Sequence, residues 1–230
     1  MWAIVVAGGS GRRFGGRKQF LPLAGHPVAW WSVRAANSVA DGVVLVVPAT
    51  GASDAEGEDT EAAAPAVGAS GKDALGAGCV VSGGATRAAS VRAGLAAVPS
   101  DAEVIVVHDA ARPLASPELF AAVVHAVRAG GIDGAIPVVP VSDTLKRVED
   151  GRVVGTVDRD GLLAVQTPQA FAAGALRAAH AGGGEATDDA GLLEVAGLTV
   201  AAVEGDPQNV KLTRPEDLAL AEALLAGARA

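Results

Sequence analysis

Short β-branched runs alternate along the chain with longer stretches that are rich in alanine and leucine at helical spacing. Most of these runs are apolar throughout, which is typical of strands covered on both faces in a parallel sheet. The runs predicted as strands are residues 3–6, 43–47, 79–81, 104–107, 134–138 and 199–203. The segments predicted as helices are residues 28–39, 86–98, 117–129, 188–195 and 215–226. The alternation predicts a three-layer, Rossmann-like α/β fold with a mostly parallel sheet.

Two of the predicted helices have recognisable start signals. Ser116 stands directly before Pro117, and a serine followed by proline is a favourable N-cap and first helical residue. Thr213 is followed three residues later by Glu216, which is the spacing of a capping box. We therefore expect these helices to begin close to residues 117 and 215.

Two stretches interrupt an otherwise regular chain, whose 230 residues suffice for a single domain. Residues 49–78 are rich in Ala, Gly and Ser, carry several acidic residues and lack apolar periodicity, so they are predicted to form a flexible insertion. Asp150-Gly151 lies between two alternating runs, which is a hairpin signal. Residues 138–160 are therefore predicted to project as a two-stranded arm that needs a partner surface.

The charge balance restricts the partners that the protein surface suits. The chain has 18 Lys and Arg against 26 Asp and Glu, a net charge of −8, which argues against nucleic acids and membrane surfaces as partners. It has one cysteine, no apolar stretch of about 20 residues and no secretion signal at its start. These features predict a cytoplasmic protein.

The first predicted strand leads directly into a glycine-rich basic loop. Gly8, Gly9 and Gly11 leave backbone N–H groups accessible to an anion. Four cations follow, namely Arg12, Arg13, Arg17 and Lys18. The spacing matches neither a Walker A loop nor a clean dinucleotide fingerprint. The loop is predicted to bind a nucleoside triphosphate, with a solvated basic loop as the alternative.

Asp109 follows the predicted strand 104–107, at the end where α/β folds bind ligands. A carboxylate that faces a triphosphate loop favours Mg²⁺, because this cation prefers oxygen ligands and bridges phosphates. A structural ion pair between Asp109 and Arg112 is the alternative. His108 is interpreted as a structural imidazole, because no nucleophile or carboxylate pattern surrounds it.

Two further segments carry weaker signals. Gly83-Gly84 precedes a predicted helix and offers backbone groups to a base or ribose, with Arg87 and Ser90 on the first helical turn. Lys211 lies just before the last predicted helix. Neither signal is specific by itself.

Taken together, the order and spacing of these segments resemble the 2-C-methyl-D-erythritol 4-phosphate cytidylyltransferases, nucleotidyltransferases of non-mevalonate isoprenoid synthesis. The resemblance rests on Ala-Gly-Gly-x-Gly-x-Arg, Lys18-Gln19-Phe20-Leu21, Gly-Gly-x-x-Arg-x-x-Ser-Val, His108-Asp109-Ala110-Ala111-Arg112-Pro113, Asp143-Thr144, Thr167-Pro168-Gln169, Thr187-Asp188 and Asn209-Val210-Lys211-Leu212-Thr213. It extends from Val5 to Leu225, apart from the predicted insertion.

The resemblance implies transfer of CMP from CTP to methylerythritol phosphate, with release of pyrophosphate. Catalytic roles would belong to Lys18, Lys211 and Arg13, and Asp109 would hold Mg²⁺ or another divalent cation. The residues implied to bind the nucleotide are Ala7, Gly8, Gly9, Gly11, Gly84, Ala85, Arg87, Ser90 and Ala110.

The resemblance also assigns a role to the predicted arm. It implies a homodimer joined through this arm, which agrees with the independent expectation that the hairpin needs a partner. Thr144 and Arg159 on the arm would bind the methylerythritol phosphate of the neighbouring subunit, together with Thr167 and Thr187.

Two other functions stay open at this point. One is a cytidylyltransferase for a different polyol phosphate, such as ribitol 5-phosphate. The other is a non-catalytic nucleotide-binding protein that retained the fold, although the combination of Lys18, Asp109 and Lys211 favours an enzyme.

Overall fold

An eight-stranded sheet forms the centre of the computed structural model, which describes residues 1–9, 14, 16–49 and 75–227. The strands are β1 Trp2–Val6, β2 Pro22–Leu23, β3 His26–Pro27, β4 Gly42–Val47, β5 Cys79–Ser82, β6 Val104–Asp109, β7 Gly134–Pro140, β8 Leu145–Glu149, β9 Arg152–Val157, β10 Leu163–Val165, β11 Gln169–Ala172 and β12 Val200–Glu204. The helices are α1 Val28–Asn37, α2 Arg87–Ala97, α3 Pro117–Arg128, α4 Ala173–Ala181, α5 Asp189–Val195 and α6 Glu216–Gly227.

The sheet is mixed but mostly parallel, as predicted. Its order is β10-β7-β11-β6-β1-β4-β5, and β12 pairs with β7. β1 is parallel to both β4 and β6, so the carboxyl ends of these three strands lie at one edge. That edge is where an open α/β sheet binds its ligands.

Helices cover both faces of the sheet, which gives the predicted three layers. Val5 of β1 belongs to an apolar cluster that contains Phe120 of α3 and side chains of α1. Its neighbour Ile4 belongs to the cluster on the other face, with Leu176 of α4 and side chains of α2 and α5. Burial on both faces is the physical reason why these strands are apolar throughout.

All six predicted strands and all five predicted helices are confirmed, with small differences at their ends. The prediction missed α4, β10 and β11, together with the short strands β2 and β3. β11 is antiparallel to both β6 and β7 and lies inside the sheet. Its sequence Gln-Ala-Phe-Ala is short and runs directly into α4, so no turn residue marks its end.

Both α3 and α6 begin close to the predicted residues, but only α3 has the predicted cap. Ser116 Oγ accepts a hydrogen bond from the Leu119 N–H at 3.2 Å, and Pro117 is the first helical residue. Near α6 the carboxylate that accepts from the Thr213 and Arg214 N–H groups, at 2.6 and 2.7 Å, belongs to Asp217. The predicted capping partner, Glu216, was therefore wrong by one residue.

The predicted hairpin is present and forms a sheet of its own. β8 pairs with β9 across Asp150-Gly151, whose φ angles of 47° and 75° place both residues in the left-handed region. Val148, Val153 and Val154 on this hairpin are more than half exposed. The sequence therefore predicted the turn and the hairpin, and the structure adds that the hairpin leaves apolar side chains in contact with water. Residues 50–74 of the predicted insertion lie outside the described part of the chain.

Among the described residues, no helix has the length and apolar character needed to cross a membrane.

Gly94 provides a test of how closely α2 packs on the sheet. A Cβ at this position would lie 2.5 Å from Ile4 Cγ2, a fully buried branched side chain that has little room to move. We expect Gly94→Ala to lower the free energy of unfolding by about 1–2 kcal/mol, because overpacking outweighs the gain in helix propensity. Urea denaturation measures the change.

Gly174→Ala is the matched control. Gly174 also lies in a helix, α4, but is exposed, and a Cβ there would meet nothing within 4 Å. This variant should be more stable by about 0.5 kcal/mol. Equal effects of the two substitutions would contradict close packing at Gly94.

Candidate functional site

Two adjoining cavities open at the edge where β1, β4 and β6 end. The first has a volume of about 860 Å³ and the second about 410 Å³. Arg87, Asp109 and Lys211 line both cavities. Two compartments that meet at a shared group of charged side chains suit a reaction between two ligands.

Most predicted nucleotide-site residues come together around the larger cavity. Those that line it are Ala7, Gly8, Gly9, Lys18, Gly84, Ala85, Arg87, Ser90, Asp109, Ala110 and Lys211. Gly11 and Arg13 lie outside the described residues. The two predicted lysines, which are far apart in the sequence, thus face the same space.

Gln19 is hydrogen-bonded to the backbone of the glycine loop after β1. Its buried side-chain Nε2 donates to the carbonyl oxygens of Ala7, at 2.7 Å, and Gly9, at 3.1 Å. Lys18 begins a one-turn 3₁₀ helix, and its Nζ lies 5.8 Å from the centre of the Phe14 ring. Gln19 was not predicted as a site residue. Its position beside Lys18 was visible in the sequence, but its contact with the loop was not.

The second glycine loop lies against the start of α2. A Cβ at Gly84 would lie 2.5 Å from Ala89 Cβ, so only glycine fits this approach. The Gly84 N–H donates to Ser90 Oγ at 3.2 Å, and the Ser90 hydroxyl lies 2.9 Å from the Thr86 carbonyl oxygen. Ser90 is 3% exposed. The hydrogen bonds of Ser90 therefore hold the glycine loop that lines the cavity.

Asp109 is the charged centre of the site. Its Oδ1 accepts from Arg87 Nε at 3.2 Å, and its Oδ2 accepts from Lys211 Nζ at 2.7 Å. Burial by itself would raise the pKa of this carboxyl, but the charges of Arg87 and Lys211 outweigh burial and hold the pKa far below its usual range. Asp109 is therefore fully ionised at neutral pH.

Arg112 is not the ionic partner of Asp109 that the alternative interpretation proposed. Its guanidinium donates instead to the carbonyl oxygens of Asn209, at 2.7 Å, and Val165, at 3.3 Å. Arg112 thereby ties the loop after β6 to the segment that contains Lys211.

His108 is fully buried behind Asp109 and is hydrogen-bonded through both ring nitrogens. Its Nε2 lies 3.1 Å from the Arg112 carbonyl oxygen, which can only accept, so Nε2 carries the proton. Nδ1 then accepts from Thr167 Oγ1 at 3.1 Å, and the same oxygen accepts from the Asp109 N–H at 3.0 Å. Burial lowers the pKa of His108 to about 4, so the ring is neutral. These contacts agree with a structural imidazole.

The predicted acceptor residues separate into two groups. Thr167 and Thr187 line the smaller cavity. Thr144 and Arg159 line neither cavity, and the Arg159 guanidinium donates to the carbonyl oxygens of Val141 and Ser142 near the base of the arm. Within one chain, the arm residues and the cavity residues are therefore apart.

Asp109 is also the candidate ligand for a divalent cation. Within the described ranges, no three His, Cys, Asp or Glu side chains are arranged to hold a metal by themselves. Mg²⁺ that arrives with a nucleoside triphosphate takes most of its ligands from phosphates and water and needs only one or two carboxylates. Asp109 fits that requirement if Lys211 exchanges its carboxylate contact for a phosphate.

Comparison with known proteins gives the same family from sequence and from structure. The family described as IspD, 2-C-methyl-D-erythritol 4-phosphate cytidylyltransferase, matches residues 1–227. A protein named 2-C-methyl-D-erythritol 4-phosphate cytidylyltransferase from Cereibacter sphaeroides is 47% identical over 231 residues, which cover 97% of this chain and 96% of that protein. A bifunctional enzyme IspD/IspF from Nitratidesulfovibrio vulgaris is 44% identical over 234 residues, and the match spans only 57% of its length.

The fold agrees with solved structures of the same family. The crystal structure of 2-C-methyl-D-erythritol 4-phosphate cytidylyltransferase from Thermus thermophilus has a TM-score of 0.76 and 35% sequence identity, covering 97% of this chain and 98% of its own. The family match over nearly the whole chain and the identity to full-length relatives lead to one conclusion. The chain belongs to the 2-C-methyl-D-erythritol 4-phosphate cytidylyltransferase family, a family of nucleotidyltransferases.

Proposed function

We propose that the protein transfers the CMP moiety of CTP to 2-C-methyl-D-erythritol 4-phosphate, giving 4-diphosphocytidyl-2-C-methyl-D-erythritol and pyrophosphate. Family membership supports this activity. The observation that carries it in the site is the junction of the two cavities at Arg87, Asp109 and Lys211. CTP occupies the larger cavity, the acceptor phosphate occupies the smaller one, and the reacting phosphates meet at this junction.

In the proposed reaction, an oxygen of the acceptor phosphate attacks the α-phosphorus of CTP. A new P–O bond forms while the bond to the pyrophosphate oxygen breaks. The nucleophile is already an anion near neutral pH, so no general base is needed. This agrees with the state of His108, which is neutral, buried and hydrogen-bonded at both nitrogens. Catalysis then consists of alignment and charge neutralisation.

Lys18 and Lys211 supply the positive charge. We propose that they neutralise negative charge that develops around the α-phosphate, and that Arg13 contributes from the loop outside the described residues. The salt bridge between Lys211 and Asp109 holds the lysine at the junction before the nucleotide arrives. A flexible ammonium group suits this exchange of partners better than a planar guanidinium does.

The two glycine loops divide the recognition of CTP between them. Gly8 and Gly9, beside Ala7, present backbone N–H groups to the triphosphate, and the same role is proposed for Gly11, which lies outside the described residues. The other nucleotide contacts come from Gly84, Ala85, Arg87, Ser90 and Ala110. Ser90 acts mainly by fixing the second glycine loop, and Arg87 acts through its contact with Asp109, because both side chains already have protein partners. Backbone groups of Gly84 and Ala85 then contact the base.

The cofactor of the proposed reaction is Mg²⁺, with Asp109 as its protein ligand. A divalent cation at the phosphates adds further charge neutralisation during transfer. Support comes from the chemistry of the donor, an ionised carboxylate at the junction of the two cavities.

We also propose that the protein acts as a homodimer in the cytoplasm. Each arm would carry Thr144 and Arg159 to the smaller cavity of the neighbouring subunit, beside Thr167 and Thr187. The support is the exposed apolar surface of the β8–β9 hairpin and the separation of its residues from both cavities of its own chain.

A pyrophosphate-release assay tests the proposed activity. With CTP and Mg²⁺, we expect release with 2-C-methyl-D-erythritol 4-phosphate and none with ribitol 5-phosphate or without an acceptor. Release with ribitol 5-phosphate alone would contradict the proposed acceptor. Failure to release pyrophosphate with any polyol phosphate, although CTP binds, would favour a non-catalytic nucleotide-binding protein.

Substitution of the two lysines tests their roles. Lys18→Ala and Lys211→Ala should each lower kcat by at least about a hundredfold, because a group aimed at transition-state charge contributes about 3 kcal/mol. CTP binding, measured by calorimetry, should remain. Arg128→Ala is the control, since it removes an exposed cation from the end of α3. Normal turnover by either lysine variant would exclude that lysine from the mechanism.

Mixing inactive variants tests whether the arm acts across the dimer. If Arg159 serves the neighbouring subunit, dimers of Lys18→Ala with Arg159→Ala chains contain one intact site. After denaturation and refolding of an equal mixture, about a quarter of the wild-type activity should return. Mixtures of Lys18→Ala with Lys211→Ala should stay inactive, because both residues belong to the same subunit's site. No recovery in the first mixture would contradict the trans arrangement.

A further inference from the structure

We propose that Asp189 is a positioning residue for this site. Asp189 holds Arg87 in place and thereby keeps one oxygen of Asp109 available to Lys211. The inference rests on the proposed function, because its consequence is a change in turnover. Asp189 lines neither cavity, and it acts through the side chain that it contacts.

Both oxygens of Asp189 are engaged inside the protein. Asp189 is the first residue of α5 and is 1% exposed. Its Oδ2 accepts from Arg87 Nη1 at 2.8 Å, and its Oδ1 lies 2.9 Å from His180 Nε2. A carboxylate can only accept, so Nε2 of His180 carries a proton. His180 thus orients the carboxylate from behind, on the side of α4.

Arg87 lies between two carboxylates. Its Nε donates to Asp109 Oδ1 at 3.2 Å while its Nη1 donates to Asp189 Oδ2. Burial would lower the pKa of this guanidinium, but the two carboxylates outweigh burial and raise the pKa above its usual value. Because the guanidinium is planar and its donors point in fixed directions, contacts at two of its nitrogens define its orientation.

Asp189 controls how Arg87 and Lys211 share Asp109. A guanidinium with only one carboxylate partner tends to bind it through two parallel hydrogen bonds. If Asp189 were neutral, Arg87 would turn toward Asp109 and compete for Oδ2, which at present accepts from Lys211 at 2.7 Å. By attracting Nη1, Asp189 limits Arg87 to Oδ1. It also balances the charges, since two cations and two carboxylates then meet behind the site.

The two adjacent aspartates at the start of α5 have different functions. Asp188 is the N-cap and accepts from the Gly191 N–H at 3.0 Å, and its other oxygen accepts from Gln169 Nε2 at 2.8 Å. Asp189 is directed to Arg87 and His180 instead. Helix capping therefore explains the position of Asp188. The burial of Asp189 is explained instead by its contacts with Arg87 and His180.

Steady-state kinetics of Asp189→Asn test the proposal. We expect kcat to fall between about ten- and a hundredfold, as for other losses of precise alignment, with the KM for CTP within about threefold of wild type. Glu185→Gln is the matched control. Glu185 also links this region to α2, through Thr86 Oγ1 at 2.8 Å and Arg92 Nη2 at 3.2 Å, but does not contact Arg87. Its kcat should remain close to wild type.

A double-mutant cycle separates positioning from general support of the fold. Arg87→Lys keeps the charge but cannot contact both carboxylates in the same geometry. If Asp189 acts through Arg87, adding Asp189→Asn to Arg87→Lys should lower kcat by less than about twofold more. Multiplicative losses in the double variant, or a normal kcat for Asp189→Asn, would overturn the proposal.

Folding and function are checked separately. Circular dichroism and thermal unfolding establish that each variant is folded. If Asp189→Asn does not fold, Arg87→Lys alone decides, since a normal kcat for that variant would overturn the proposal and a loss of about tenfold or more would support it. Absence of CMP transfer by the wild-type protein would overturn the proposed function itself, whereas normal transfer with an unaffected Asp189→Asn would overturn only the role of Asp189.

Discussion

The site depends on the ion pairs that Asp109 makes with Arg87 and Lys211. These pairs join the end of β6 to the start of α2 and to the segment before α6, which are remote in the sequence. A buried carboxylate is costly unless it is paired, so the ionised state of Asp109 requires both cations nearby. Because Arg87, Asp109 and Lys211 line both cavities, the same requirement places the two cavities side by side.

Neutral hydrogen bonds support this charged centre from behind. The Asp109 N–H, the Thr167 hydroxyl, the His108 ring and the Arg112 carbonyl form a continuous chain in which each donor has an acceptor. Asn209 extends it, since its Nδ2 donates to the Thr167 carbonyl oxygen at 2.9 Å. Buried hydrogen-bond networks of this kind make a local arrangement rigid. The charged side chains can therefore meet a ligand without first being ordered by it.

The fold could be predicted where local chemistry and burial act in the same direction. Apolar runs identified the six principal strands, most of which are buried on both faces, and Asp150-Gly151 identified the hairpin turn. β11 was missed because four residues carry too little periodicity, and its place between β6 and β7 is decided by pairing with both. The cap of α6 was assigned to Glu216 instead of Asp217 because a spacing rule cannot tell which of two adjacent carboxylates turns back.

The sequence by itself determined the class of fold, the family and the residue types that surround the ligand, because each motif carries its glycines and charges within a few positions. Tertiary structure alone decided which charges meet. Asp109 and Lys211 are 102 positions apart, as are Arg87 and Asp189, so no local pattern relates them. The strand order and the burial of each carboxylate select these partners, because an unpaired charge could not be buried there.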